Sequence, residues 1–380
     1  MTARMVRLGE ETGELFQTHI GGSAVVEGVM MRGRCGWAVS VRTASGALYV
    51  EERSLSDADA RPRWQKLPLV RGCVSFVESM RISYQALAIA VDHAYDGVPP
   101  SVSSTVPPQE ASRDEEDAAG APQATEGTLT AAEEAAGAAP EAPEAPHESR
   151  ASEDPGMYLS IAVGVLLGIA LFVALPVAAT NLIMGDLEAH NSLAWNLVEA
   201  GFRIAAFVIY VWGVGRMPDM ARVFAYHGAE HQAIHCYEHG LDLTPENCAR
   251  FSRLHVRCGT AFIVMTVIIA IVVNAVAPVG ALADALGATG LVRGLIVFAS
   301  RLVLLPVVMG ISYEITVRWA GRHPDNPLVR VVLWPGLQMQ RLTTRVPDRG
   351  MLECAITSLV RVRAQEVRAE RAKQEVAQGA

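Results

Sequence analysis

The sequence predicts a mainly α, polytopic helical membrane protein with about four transmembrane helices and a small N-terminal β-containing module. Three observations predict it. Long uncharged segments crowd the second half of the 380-residue chain. A tract rich in Ala, Pro and Glu at 96–156 separates them from what precedes. Before that tract, short runs of alternating polarity lie between glycines, as strands do.

Residues 1–95 form the first expected unit. The run Gly-Gly-Ser-Ala-Val-Val-Glu-Gly-Val-Met-Met-Arg-Gly at 21–33 is a short apolar stretch punctuated by glycines. It reads as a strand with a glycine bulge, and Glu27 and Arg32 are its reactive-looking members. Segments 37–43 and 47–52 alternate around Ala44-Ser45-Gly46, which predicts a hairpin. At 68–91 apolar residues recur at helical spacing, from Val70 through Val77, Tyr84 and Val91. Arg71, Glu78 and Arg81 make this helix too polar to cross a bilayer, so it lies on the membrane or on the core.

The tract 96–156 holds 14 acidic residues and 2 arginines, no aromatic residue and one leucine. Such a composition buries too little carbon to offset its ordering entropy, so disorder is expected. A coil of this length spans about 40–47 Å and would let the first module swing. Outside it the chain carries a small positive excess, so the net charge of −8 reflects the linker. No basic stripe with interleaved aromatics is present, and a nucleic-acid partner is not expected. Six cysteines without a CxxC pair read as free thiols.

The domain expected at 157–350 contains four hydrophobic segments. Residues 157–184 and 259–283 lack charge and exceed the length needed for about 30 Å of hydrocarbon. Segment 197–215 carries Glu199 and Arg203, and 294–313 is interrupted by Arg301. A buried arginine needs a partner, a wet cavity or a route to the interface. Loops 185–196 and 284–292 have no basic residue, whereas 216–258 has five arginines. The positive-inside rule then puts both termini on the cytoplasmic side of the inner membrane. A charged helix at 351–380 ends the chain.

The chemistry concentrates at 226–240, Tyr-His-Gly-Ala-Glu-His-Gln-Ala-Ile-His-Cys-Tyr-Glu-His-Gly. On a helix advancing about 100° per residue, His227, His231 and His235 step slowly round one face, with Glu230 and Glu238 on the same arc. Imidazole and carboxylate together favour a divalent cation, with zinc the expected ion. Solvated faces normally carry Lys and Arg, which are missing here. His-Gly-Ala-Glu-His also fits the H-x-x-E-H pattern of inverted zinc peptidases. His227 and His235 are about 12 Å apart along the axis, so a single ion does not readily take both. Either a second ion binds, or one histidine serves another role and ligands arrive from elsewhere. His255 and Cys258 could supply two, or could be a capping histidine and a buried thiol. Glu314, at the end of the last span, could face the same helix.

Several runs resemble the YqhQ-like family of bacterial membrane proteins, labelled predicted metal-dependent enzymes. They are 21–33, 226–240, Arg-Phe-Ser-Arg-Leu-His-Val-Arg-Cys-Gly-Thr at 250–260, Arg-His-Pro-Asp-Asn-Pro at 322–327 and Leu-Thr-Thr-Arg at 342–345. The resemblance covers nearly the whole chain apart from the acidic tract. It implies that Glu27, Arg32, His255, Cys258 and Glu314 join the site. Two positions depart from the family pattern: Val256 stands where Pro is usual, and Val346 where Glu is usual.

These observations predict a metal-dependent hydrolase at the inner surface of the bilayer. His227, His231, His235, Glu238, His255, Cys258 and Glu314 are the candidate ligands. Glu230 or Glu27 is the candidate base and Arg32 a clamp for an anionic lipid or membrane-peptide substrate. The alternative is a non-enzymatic metal sensor or assembly factor. The sequence sets no oligomeric state.

Overall fold

The computed structural model describes residues 18–55, 62–95, 163–164, 166–184, 193–255, 258–277, 279–320, 323 and 326–378. The acidic tract lies outside the described residues. Those from 18 to 95 and from 171 onward belong to one compact unit.

Four antiparallel strands open this unit: β1 Gly21–Val25, β2 Gly28–Arg32, β3 Gly36–Arg42 and β4 Leu48–Ser54, in sheet order 1-2-3-4. The expected 37–52 hairpin is β3–β4. The 21–33 run is two strands rather than one bulged strand, because Glu27 takes a positive φ of 50° and turns the chain back. That φ favours glycine or asparagine, and the conformation here is held by contacts of the Glu27 side chain.

Strand residues alternate between two covered faces. Met30, Trp37, Val39 and Val41 meet Ile82, Ala86 and Ile89 of helix α1, Val70–Ala94. Val29, Met31 and Ala38 face a second core described below.

Helix α2, Leu166–Met184, contains a π-helical turn at Ala170–Ala174. Helix α3 is Leu193–Val214. Helix α4, Pro218–Glu238, carries the histidines. Proline at its first turn suits a missing N–H. Gly240, at φ 67°, ends it, with Leu241 N–H reaching the Cys236 carbonyl. The short helix α5, Pro245–Cys248, is capped by Thr244 as its Thr-Pro start predicts. Helices α6 (Gly259–Val276), α7 (Val279–Ala285) and α8 (Gly290–Tyr313) follow, α8 continuing as a π-helical turn to Trp319. Helix α9 is Pro327–Thr343 and α10 is Arg349–Gln378.

Among the described residues, three helices are long and apolar enough to cross a membrane: Leu166–Met184, Ala194–Val214 and Val292–Trp319. The segment expected to cross as one 25-residue helix at 259–283 is instead split. Helix α6 stops at Val276 and α7 begins at Val279, leaving a shorter apolar stretch at Phe262–Asn274. Large apolar side chains on the three long helices stand exposed, among them Leu182, Ile209 and Val303. Arg301 has its partner: Glu199, only 3% exposed, lies 3.8 Å from it and also pairs with Arg203.

The module boundary expected at residue 95 does not divide the core. Val29 and Met31 of the sheet pack with Ala229, Ala233 and Ile234 of α4 and with Leu352, Ala355 and Leu359 of α10. Ser358 donates to the Val29 carbonyl at 2.7 Å and meets Ser40 at 2.8 Å, tying α10 to the sheet. The N-terminal module, the His-bearing helix and the C-terminal helix therefore share one interior. A freely swinging module does not fit that packing.

Candidate metal centre

Helix α4 is buried almost all round from Ala225 to Ile234. Its neighbours explain how polar residues are kept there. After α5 the chain runs back along α4 and offers its carbonyls: Gln232 donates to Phe251 O at 2.8 Å, and His235 Nε2 to Leu254 O at 2.9 Å. His231 Nδ1 donates to Arg253 O. From the other side the end of α9 supplies Thr343 O, which accepts from His227 Nδ1 at 2.9 Å. A carbonyl only accepts, so in each ring the bonded nitrogen carries a proton, and the other keeps its lone pair whenever the ring is neutral. Fixing one ring nitrogen on a backbone carbonyl is the usual way a protein orients metal-binding histidines.

Among the described residues, potential ligand atoms converge in two sets. His227, His231 and Cys258 form one, and His235, Glu238 and His255 the other; within each, ligand atoms lie within 4.8 Å of one another. A tetrahedral ion with bonds of about 2.0–2.3 Å holds its ligands about 3.3–3.8 Å apart. Small rotamer adjustments would close either set. His227 Nε2 is already 3.1 Å from Cys258 Sγ. His231 is fully buried and its Nε2 has no hydrogen-bond partner, as does Glu230 Oε2. Orphaned buried polar atoms are costly unless something else satisfies them. The donor set therefore fits a divalent ion.

Electrostatics match that chemistry. Burial opposes charge on His227, but the adjacent Cys258 sulfur overrides it and lifts the imidazole to about 9. Burial likewise opposes the Cys258 thiolate, yet His227 and His231 hold it well below the ordinary thiol range. Without an ion the two share a proton that a cation would displace. Burial is the main cause that pushes His235 and His255 down to about 4, which leaves both neutral with ligand lone pairs. The 3.5 Å approach of His255 Nε2 to Glu238 Oε2 is accordingly not an ion pair. Burial pushes Glu230 up, with His231 and His227 pulling against it.

Three candidate residues sit elsewhere. Glu27 is held by Arg222 in two contacts of 2.5 Å and by the Tyr226 hydroxyl at 3.2 Å. Arg32 joins Glu78 and Ser79 of α1. Glu314 pairs with Arg71 rather than facing the histidines. The resemblance implied that these three join the site, whereas each lies beside an oppositely charged side chain, Arg222, Glu78 or Arg71, that is close enough in space to neutralise it. Sequence reasoning also missed the supports. Gln340, fully buried, grips the His255 backbone in both directions, its amide accepting from His255 N and donating to His255 O at 2.8 Å each. Thr18 N–H donates to Glu238 Oε1 at 3.0 Å. Backbone groups have no signature in sequence, although a glutamine on an apolar helix face was a readable signal.

A family model described as protein of unknown function (DUF1385) matches residues 67–365. The chain belongs to the DUF1385 family. It is 28% identical over 342 residues to the uncharacterized protein YqhQ of Bacillus subtilis (strain 168), covering 89% of this chain and 90% of that one. No solved structure matches it. In this DUF1385 chain the matched region includes both ligand sets, whereas β1 to β4 lie outside it. The 342–345 run is one support of the site: Thr343 O holds His227, Thr344 O accepts from Arg253 at 3.1 Å, and Arg345 N donates to Phe224 O at 2.8 Å. Gly228 permits that approach, since a Cβ there would strike the Arg345 carbonyl.

Proposed function

We propose that this protein is a divalent-metal-dependent hydrolase of the inner membrane, acting at the cytoplasmic surface on a lipid or membrane-peptide bond. The observation that carries the reading is the orientation of the site. His227 and His231 each spend one nitrogen on a backbone carbonyl and aim the other toward Cys258, with His231 Nε2 buried and unpartnered. Those three residues would hold the ion, and the thiolate among them favours zinc. A bound ion would supply Lewis acidity to a substrate oxygen. Glu230 is the proton acceptor in this reading, because its Oε2 has no other partner and burial raises its basicity. Three apolar helices support placement in a bilayer, and the basic 216–258 segment supports a cytoplasmic site.

One feature favours a second reading, a metal-dependent assembly element. The site is enclosed: Glu230 is 4% exposed and a Cβ on Gly22 of β1 would lie 2.8 Å from its Cδ. Closed sites are characteristic of structural metals. Elemental analysis of the detergent-purified chain, with His231→Ala beside it, tests both readings. Stoichiometric metal in the wild type and none in the variant is expected. Glu230→Gln then separates them on vesicles carrying acyl- and headgroup-labelled phospholipids and a labelled membrane peptide. The hydrolase reading requires retained metal and lost turnover. Metal with no turnover in either protein leaves assembly as the function, and no metal in the wild type removes both.

A further inference from the structure

We infer that His235, Glu238 and His255 hold a second divalent ion beside the His227–His231–Cys258 set. The inference rests on the first set being a metal site and extends it. One helix does not readily bring His227 and His235 to a common ion, since eight residues separate their backbones by about 12 Å along the axis. A second set is assembled where the first runs out. His255 arrives from the chain after α5, and its ring centroid lies 4.7 Å from that of His235 and 5.7 Å from that of His231. The two sets therefore abut.

Each member of the second set is held as a ligand would be. His235 donates through Nε2 to Leu254 O at 2.9 Å, so its lone pair is on Nδ1. Glu238 accepts Thr18 N–H on Oε1 at 3.0 Å, which turns Oε2 toward His255 at 3.5 Å. The His255 backbone is clamped by the Gln340 amide from both sides. Such outer contacts fix ring and carboxylate orientation around bound metals. Two imidazoles and one carboxylate without a thiolate form a harder site than the first, suited to zinc, iron or manganese in their divalent states. Glu230, one residue before His231, is buried and presents an unpartnered Oε2 beside the first set.

Cobalt(II) binding to the chelator-stripped full chain in detergent tests this, read by elemental stoichiometry and absorption. The expected result is two equivalents in the wild type and one in Glu238→Gln, which keeps the sulfur-to-cobalt charge-transfer band. Cys258→Ser should also bind one equivalent but without that band. His235→Gln, whose amide can still donate to Leu254 O, is the second probe of the set should Glu238→Gln fail to fold. A wild type with one equivalent, retained with its charge-transfer band by the second-set variants, overturns the second ion and leaves the first intact. A wild type with a single equivalent that variants of either set abolish means one shared ion and equally overturns it. No bound cobalt in the wild type removes the metal reading as a whole, and this inference with it.

Discussion

The glycine pair at the start of β1 offers a direct test of how the site is closed. A Cβ added to Gly22 would lie 2.6 Å from the Met30 carbonyl oxygen and 2.8 and 2.9 Å from Cδ and Cγ of Glu230. Ordinary contacts begin near 3.4 Å. The Met30 carbonyl belongs to the neighbouring strand, one register position from Gly22, and cannot retreat without disturbing the ladder. Strand propensity alone would make alanine better than glycine by about 0.5–1 kcal/mol. Overpacking a filled interior costs about 1–3 kcal/mol. At mid-range the clash wins by about 1 kcal/mol, a fall of roughly 2–4 °C in the unfolding midpoint. Gly21→Ala is the control, because a Cβ there meets nothing within 4 Å. Thermal unfolding of both variants in detergent by near-ultraviolet circular dichroism makes the comparison. A Gly22→Ala midpoint equal to or above that of Gly21→Ala would refute close packing of β1 on Glu230.

Other substitutions separate supports from ligands and surface pairs from buried ones. Gln340→Ala strips both amide contacts from the buried His255 backbone and should cost about 2–4 kcal/mol, read by chemical denaturation. Glu314→Gln should leave metal content unchanged and shift stability by less than about 1 kcal/mol, since the carboxylate serves a half-exposed pair with Arg71. Glu199→Gln leaves Arg203 and Arg301 without their shared carboxylate and should cost about 3–5 kcal/mol, seen as a much lower midpoint than for Glu314→Gln.

Much of the architecture was legible because its signals are local. The β3–β4 hairpin followed from alternation around Ala44-Ser45-Gly46, and the Thr244 cap from a Thr-Pro start. Runs of uncharged residues marked the long apolar helices, but hydrophobicity alone joined α6 and α7 across a break. Within the candidate site, the helical period brought His227, His231 and His235 to one face, while His255 and Cys258 needed the return of the chain after α5. Glu27, Arg32 and Glu314 looked similar in sequence, yet each lies beside an oppositely charged side chain from a distant segment.

Period and composition by themselves determined that α4 is a helix whose histidines share an arc, and that apolar helices follow it. Only the tertiary structure decided which ring nitrogens face inward, because backbone carbonyls of Thr343, Arg253 and Leu254 make that choice. It also decided that, among the described residues, the potential ligands gather in two groups rather than one. The physical reason is range: helical geometry fixes neighbours within a few residues, whereas a carbonyl or carboxylate from a distant segment finds its partner only after the chain has packed.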